Sequence, residues 1–210
     1  MTASSTRNLP QGLLLLTVIW FAGLLASGFA PHDRLTWFME VAPCLVALPL
    51  LWATRGRFEF TALVYVLITI HGLILMLGGA YTYAHVPLGV WVQEWFHWSR
   101  NPYDKLGHFA QGFVPAMVAR ELLIRKFAIP AGKLNAFLVV SICLAISAFY
   151  ELVEWWSALA LGQGADEFLG TQGDPWDTQS DMFFALVGAI CALLFLSRWH
   201  DRAIARARQL

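Results

Sequence analysis

Long apolar runs alternate with short polar patches along this chain, and that alternation restricts it to a helical bundle crossing a membrane. A hydrocarbon core of roughly 30 Å takes about 20 residues of helix per crossing, and a helix satisfies its own backbone polar groups in lipid. Six runs approach that length: 13–29, 35–53, 60–81, 106–123, 136–159 and 182–196. Hydrophobic residues make up 58% of the chain and charged residues 13%, a multi-span composition rather than that of a soluble domain. Glu40, Pro43 and Pro49 interrupt the second run, so a kink is expected there. The first run is read as an uncleaved helix rather than a signal peptide, because five more spans follow it.

Basic residues orient the bundle. With the N-terminus in the cytoplasm, inner segments hold Arg7, Arg55, Arg57, Arg120, Arg125, Lys126, Lys133, Arg198, Arg202, Arg206 and Arg208, whereas outer segments hold Arg34, Arg100 and Lys105. The split is 11 to 3 among 14. The expectation is an all-α polytopic membrane bundle of about six transmembrane helices, residues 1–210 forming one domain with both termini cytoplasmic. Loops carrying Glu94, His97, Asp166, Glu167 and Asp174 then face outward. Zero net charge points to no nucleic-acid partner, and the basic tail from Arg198 to Arg208 suits anionic lipid headgroups. Cys44, Cys143 and Cys191 sit singly inside apolar runs, so neither a zinc knuckle nor a disulfide framework is expected.

Within this apolar chain, Asp104 and His108, Glu151 and Glu154, and Asp177 and Asp181 lie on three separate runs. Ionisable groups at such depth cost several kcal/mol each unless paired, hydrated or bound to a cation, which makes the set a candidate site. At 1.5 Å per helical residue, His108 lies about 25 Å above Arg125, Glu151 about 27 Å above Lys133 and Asp181 about 25 Å above Arg198. The groups are level, near the outer edge of the hydrocarbon. Spacings of four, three and four residues put each pair on one helix face, so all can meet in one cavity. Acid pairs at that spacing repel, and a bound cation would relieve them. Glu40 and His71, about 22 Å above Arg55 and about 21 Å above Arg57, reach the floor of the same cavity, or else pair with each other.

Imidazole and carboxylate donors without thiolates suit a divalent metal. His108, Glu151, Glu154 and Asp181 are the candidate ligands, Asp104, Asp177, His71 and Glu40 the secondary ones, and Glu151 and Asp177 the candidate acid/base groups. A structural alternative stands beside this: the acids satisfy loop amides and Trp indoles, or pair with Lys105 and Arg100. The loop from Tyr81 to Tyr103, with Trp91, Trp95, Phe96 and Trp98, reads as an amphipathic layer on the outer surface, and Trp155 and Trp156 as part of an aromatic belt. Asp174 before Pro175 predicts an N-cap with the last helix starting at Pro175. Gly78, Gly79, Gly107 and Gly112 permit close helix approach.

Four runs carry a resemblance: His71-Gly72 through Gly78-Gly79-Ala80-Tyr81-Thr82-Tyr83; Asn101-Pro102-Tyr103-Asp104-Lys105-Leu106-Gly107-His108-Phe109; Tyr150-Glu151-Leu152-Val153-Glu154-Trp155-Trp156; and Gly173-Asp174-Pro175-Trp176-Asp177-Thr178-Gln179-Ser180-Asp181-Met182. These resemble the YjdF family of bacterial inner-membrane proteins over nearly the whole chain, which implies topology and site positions more than an activity. Lys105 with His108, Glu151 or Glu154, and Asp177 with Asp181 also resemble, over the last three runs, the pattern of VanZ-like membrane proteins. Trp155-Trp156 after the Glu pair, and no Arg between that pair and Asp177, depart from it.

Three functions fit these residues. The leading expectation is a multi-pass inner-membrane protein whose outward-facing acidic/His site binds a metal and acts on or senses an envelope lipid, its partner being membrane lipid. A small proton- or cation-coupled transporter is the alternative; against it, no repeat is visible and the inner half of every run is expected to lack polar residues. A non-catalytic scaffold, in which the cluster fixes helix register, is the third.

Overall fold

The computed structural model describes residues 11–161 and 171–207. Those residues form helices α1 (Gln11–Gly28), α2 (Arg34–Thr54), α3 (Ala62–Ala80), α4 (Pro87–Phe96), α5 (Tyr103–Arg125), α6 (Lys133–Leu161) and α7 (Asp177–Ala207), with no strand among them. Apart from the short α4, each expected run is a helix whose ends fall within a few residues of the expectation, except that α7 continues well past residue 196. Arg7, Asp166, Glu167 and Arg208 lie outside the described residues.

Pro43 and Pro49 do not end α2, which runs unbroken from Arg34 to Thr54. Each proline removes one backbone hydrogen bond, and the packing of α2 on α3 and α1 maintains the helix across both. Asp33 caps α2, its Oδ1 accepting from the Thr36 N–H at 2.7 Å; that bond to the backbone holds its carboxyl below the usual range. At α7 the structure corrects the expectation. Asp174 accepts from the Trp176 N–H at 2.9 Å in a turn before the helix, and α7 begins at Asp177 rather than Pro175.

Five of the six long helices are apolar enough to cross a membrane by composition. The sixth, α5, carries Asp104, Lys105, Arg120, Glu121 and Arg125, and it sits centrally against α3, α6 and α7. The other five show lipid-facing apolar side chains, such as Leu15, Phe21, Val46, Phe137 and Phe195, which are more than half exposed. α5 and α7 run parallel, in contact from Lys105 beside Asp177 to Arg120 beside Asp201. Their backbones touch in the middle, where a Cβ on Gly112 would overlap the Ala185 carbonyl and one on Gly188 the Phe109 carbonyl. That close approach sets the register that brings Lys105 beside Asp177 and Asp181 at one end and Arg120 beside His200 at the other.

Candidate functional site

At the end of the bundle that carries α4, helices α2, α5 and α7 all begin, so Asp33, Asp104 and Asp177 occupy first turns or caps where the helix dipole favours a carboxylate. One turn further in, His108 (α5), Glu151 (α6) and Asp181 (α7) are buried to 6%, 7% and 2% exposure. Asp104, Glu154 and Glu40 complete the group. The six residues on three runs do converge, and Glu40 joins them by accepting a 3.3 Å hydrogen bond from the Tyr150 hydroxyl of α6.

Two kinds of acid are present. Asp104, Asp174, Asp177 and Asp181 have permanent cations: Lys105 Nζ lies 2.8 Å from both Asp177 Oδ1 and Asp181 Oδ1, and Arg100 lies 2.6 Å from Asp177, 3.0 Å from Asp174 and 3.5 Å from Asp104. Burial opposes the Arg100 charge, but the hydrogen bond to Asp177 and the fields of Asp177 and Asp104 outweigh it and hold its pKa above its ordinary value. The repulsion expected between Asp177 and Asp181 is thus relieved by Lys105. Glu40, Glu151 and Glu154, by contrast, have no Lys or Arg partner among the described residues.

His108 stands between the two kinds. Its Nε2 faces Asp104 Oδ1 at 3.4 Å and Asp181 Oδ2 at 3.8 Å, while Nδ1 meets Gln111 Oε1 at 3.1 Å and Glu151 Oε1 at 3.9 Å. That Glu151 oxygen is buried without a hydrogen-bond partner. Two sets of donor atoms, Asp104 with His108 and Asp181, and His108 with Glu151 and Glu154, each lie within 4.8 Å of one another. Asp181 and Asp104 in the first set already share Lys105 and Arg100, so the second set is the one short of positive charge.

Below these groups a cavity of about 530 Å³ runs between α2, α3, α5 and α6, with Glu40, His108 and Glu154 at its head and Thr54, Leu122 and Lys126 at its foot. His71 lines it, its Nε2 without a hydrogen-bond partner and with no ion pair to Glu40. Tyr83 reaches the same cavity from the loop after α3, its ring wedged against Gly78 and Gly107 where any larger side chain would collide with it. Asn101 pins that loop, donating to the Ala84 and Val86 carbonyls, and exchanges hydrogen bonds with Gln172 ahead of α7. Trp91, Trp95, Phe96 and Trp98 stay exposed on and after α4, as an interfacial layer requires.

Tyr150, Gln111 and Tyr83 were not among the expected site residues. Tyr150 lies four residues before Glu154 and Gln111 three after His108, so face-sharing with known candidates was the available signal. Also missed was the far end of the bundle. Glu121 and His200 are fully buried there and Arg120 nearly so, which corrects the expectation that the inner half of every run lacks polar residues.

A family profile described as "Predicted membrane protein (DUF2238)" matches residues 12–202. The chain belongs to that family. It is 58% identical, over 92% of its own length and 90% of the relative's, to the inner membrane protein YjdF of Escherichia coli strain K12. No solved structure matches it. The DUF2238 match and the apolar helices make this a multi-pass protein of the bacterial inner membrane. The YjdF resemblance is thereby shown; the VanZ-like one is not.

Proposed function

We propose that the α4 end of the bundle is an outward-facing divalent-metal site that acts on, or senses, the headgroup of an envelope lipid. His108, Glu151 and Glu154 would hold the ion; Asp104 and Asp181, both on the Nε2 edge of the His108 ring, would orient the imidazole as second-sphere carboxylates do. The observation that carries the reading is the buried Glu151 oxygen with no hydrogen-bond partner, facing His108 and a second uncompensated carboxyl. A carboxylate kept charged in that state costs several kcal/mol, and a proton or a cation removes the cost. A metal so placed polarises a phosphoryl or ester oxygen and lowers the pKa of its water. Glu151 is the candidate base; Asp177, held by Lys105 and Arg100, is suited to orienting rather than to proton transfer.

The lipid assignment rests on the apolar cavity that opens from the same groups. That apolar stretch also weighs against the transporter, since Val114, Val118, Ala47 and Leu51 offer a proton or ion no relay between the two ends. Metal analysis of the purified protein tests the proposal. About one equivalent of a divalent ion in wild type, lost in His108→Ala and Glu154→Ala, is expected for a three-ligand site; an empty wild type, or occupancy indifferent to both substitutions, overturns it.

A further inference from the structure

The length, volume and polarity of the cavity define the hydrocarbon that fits it. Its α2 wall runs from Glu40 to Thr54, fourteen helical steps, so it is about 21 Å long at 1.5 Å per residue. The volume of about 530 Å³ holds about 18 chain atoms if each takes about 30 Å³, the share of a liquid water. A fully extended chain advances about 1.2 Å per bond, one third of the reach of an extended residue, so 18 atoms span about 21 Å. The α2 wall and the volume therefore agree on one extended, unbranched chain. Two chains need twice the space, and a polyprenyl chain overruns the foot.

The cavity is also open to the bilayer. Leu50 of α2 and Ile146 of α6 both line it while remaining 59% and 42% exposed, which places a lateral opening between those two helices. Pro43 and Pro115 face it from the α2 and α5 walls, and both are confined to positions where their missing N–H leaves a carbonyl four residues back unbonded. At the head, Glu40 and Tyr150 span from α2 to α6 beside His108 and Glu154.

We infer that this cavity is a chain-length-selective slot for one acyl chain of a glycerolipid, the second chain remaining in the bilayer through the opening between α2 and α6 and the headgroup lying at His108 and Glu154. The inference deepens the lipid reading and rests on it for the headgroup; the slot itself rests on the lining. Moving a chain from bilayer to slot gains no hydrophobic energy, so the slot sets which chain fits rather than how tightly the head binds.

The test reconstitutes the full chain in nanodiscs of mixed-chain phosphatidylglycerol, re-extracts it in detergent, and measures bound lipid by mass spectrometry and bound metal on the same samples. Wild type should enrich chains near about 18 carbons over those four longer or four shorter by about tenfold, the factor that about 1.4 kcal/mol of fit represents. Ala47→Trp and Val118→Trp, which fill the slot from opposite walls, should abolish that preference and keep the metal. A flat chain-length profile in wild type, enrichment that survives both substitutions, or a polyprenyl lipid carried through from the cell membrane overturns the slot. Lipid selected without metal would sink the metal reading and leave the slot; metal without lipid selection would do the reverse.

Discussion

At the Arg-rich end of the bundle Glu121 accepts from four donors, the Thr61 N–H at 2.9 Å, the Thr61 hydroxyl at 2.7 Å, Arg125, and His200 Nε2 at 3.0 Å; at the α4 end Glu151 keeps an oxygen with none. The chain of bonds continues at the first end. Arg120 donates to His200 Nδ1 at 3.1 Å and to Asp201 at 2.6 Å, and since arginine can only donate, His200 must carry its proton on Nε2 and give it to Glu121. Nothing is left over there. In the cluster at the α4 end, among the described residues, seven carboxyls, Glu40, Asp104, Glu151, Glu154, Asp174, Asp177 and Asp181, meet Arg100, Lys105 and the His108 imidazole. Both clusters join α5 to α7, so holding helices together does not require a charge deficit. On the proposed reading, the deficit at one end alone is the reason to look for a ligand there.

The largest expected effect is at the balanced end. Glu121→Ala strands Arg125, His200 and the Thr61 donors and should destabilise the protein by about 3–5 kcal/mol, read as a collapse of the melting temperature in detergent. Next comes Lys105→Met, which leaves Asp177 to Arg100 and the helix dipole and Asp181 to His108; a loss of about 2–4 kcal/mol is expected, less than for Glu121→Ala because Arg100 still holds Asp177. Equal losses would mean that Arg100 does not share the load.

Glu154→Gln should act in the opposite direction. In chelator it removes a buried carboxyl that has no Lys or Arg partner and should raise the melting temperature by about 2–4 °C, the shift of about 1 kcal/mol in a chain of this size. A fall instead would show that Glu154 has a partner like those of Glu121. The smallest effect lies outside both clusters. Asp33→Ala should cost about 1 kcal/mol near neutral pH as a lost helix cap. Because the folded state holds that carboxyl below its ordinary value, its contribution is present above the usual carboxylate range and fades as the pH falls, and unfolding of the variant and wild type should converge in acid.

The helices were legible because period and length dominate in lipid, where the backbone must satisfy itself. The ends of α1, α2, α3, α5 and α6 follow from apolar runs, and the convergence of His108, Glu151 and Asp181 from a ruler of 1.5 Å per residue. Partner choice was less legible. Lys105 was visible as a residue, but which carboxyls it takes depends on the parallel packing of α5 on α7, set by Gly112 and Gly188 across the helix pair. Arg120 counts in the sequence only as one of the inner basic residues; the structure buries it against His200, eighty residues away. The polar head of the cavity was legible from Glu40 and His71, but its apolar stretch left no sequence signal, because Ala47, Leu51, Val114 and Val118 look like ordinary apolar wall.

The most direct test of a deficit filled by a cation is thermal unfolding of the purified protein in chelator and in saturating divalent ion, for wild type and Glu154→Gln. Wild type should gain about 2.7 kcal/mol of stability when the ion stands at about one hundred times its dissociation constant, and Glu154→Gln should gain little. A wild type whose melting temperature ignores both chelator and added metal would contradict the account, for its buried carboxyls would then be content without a cation.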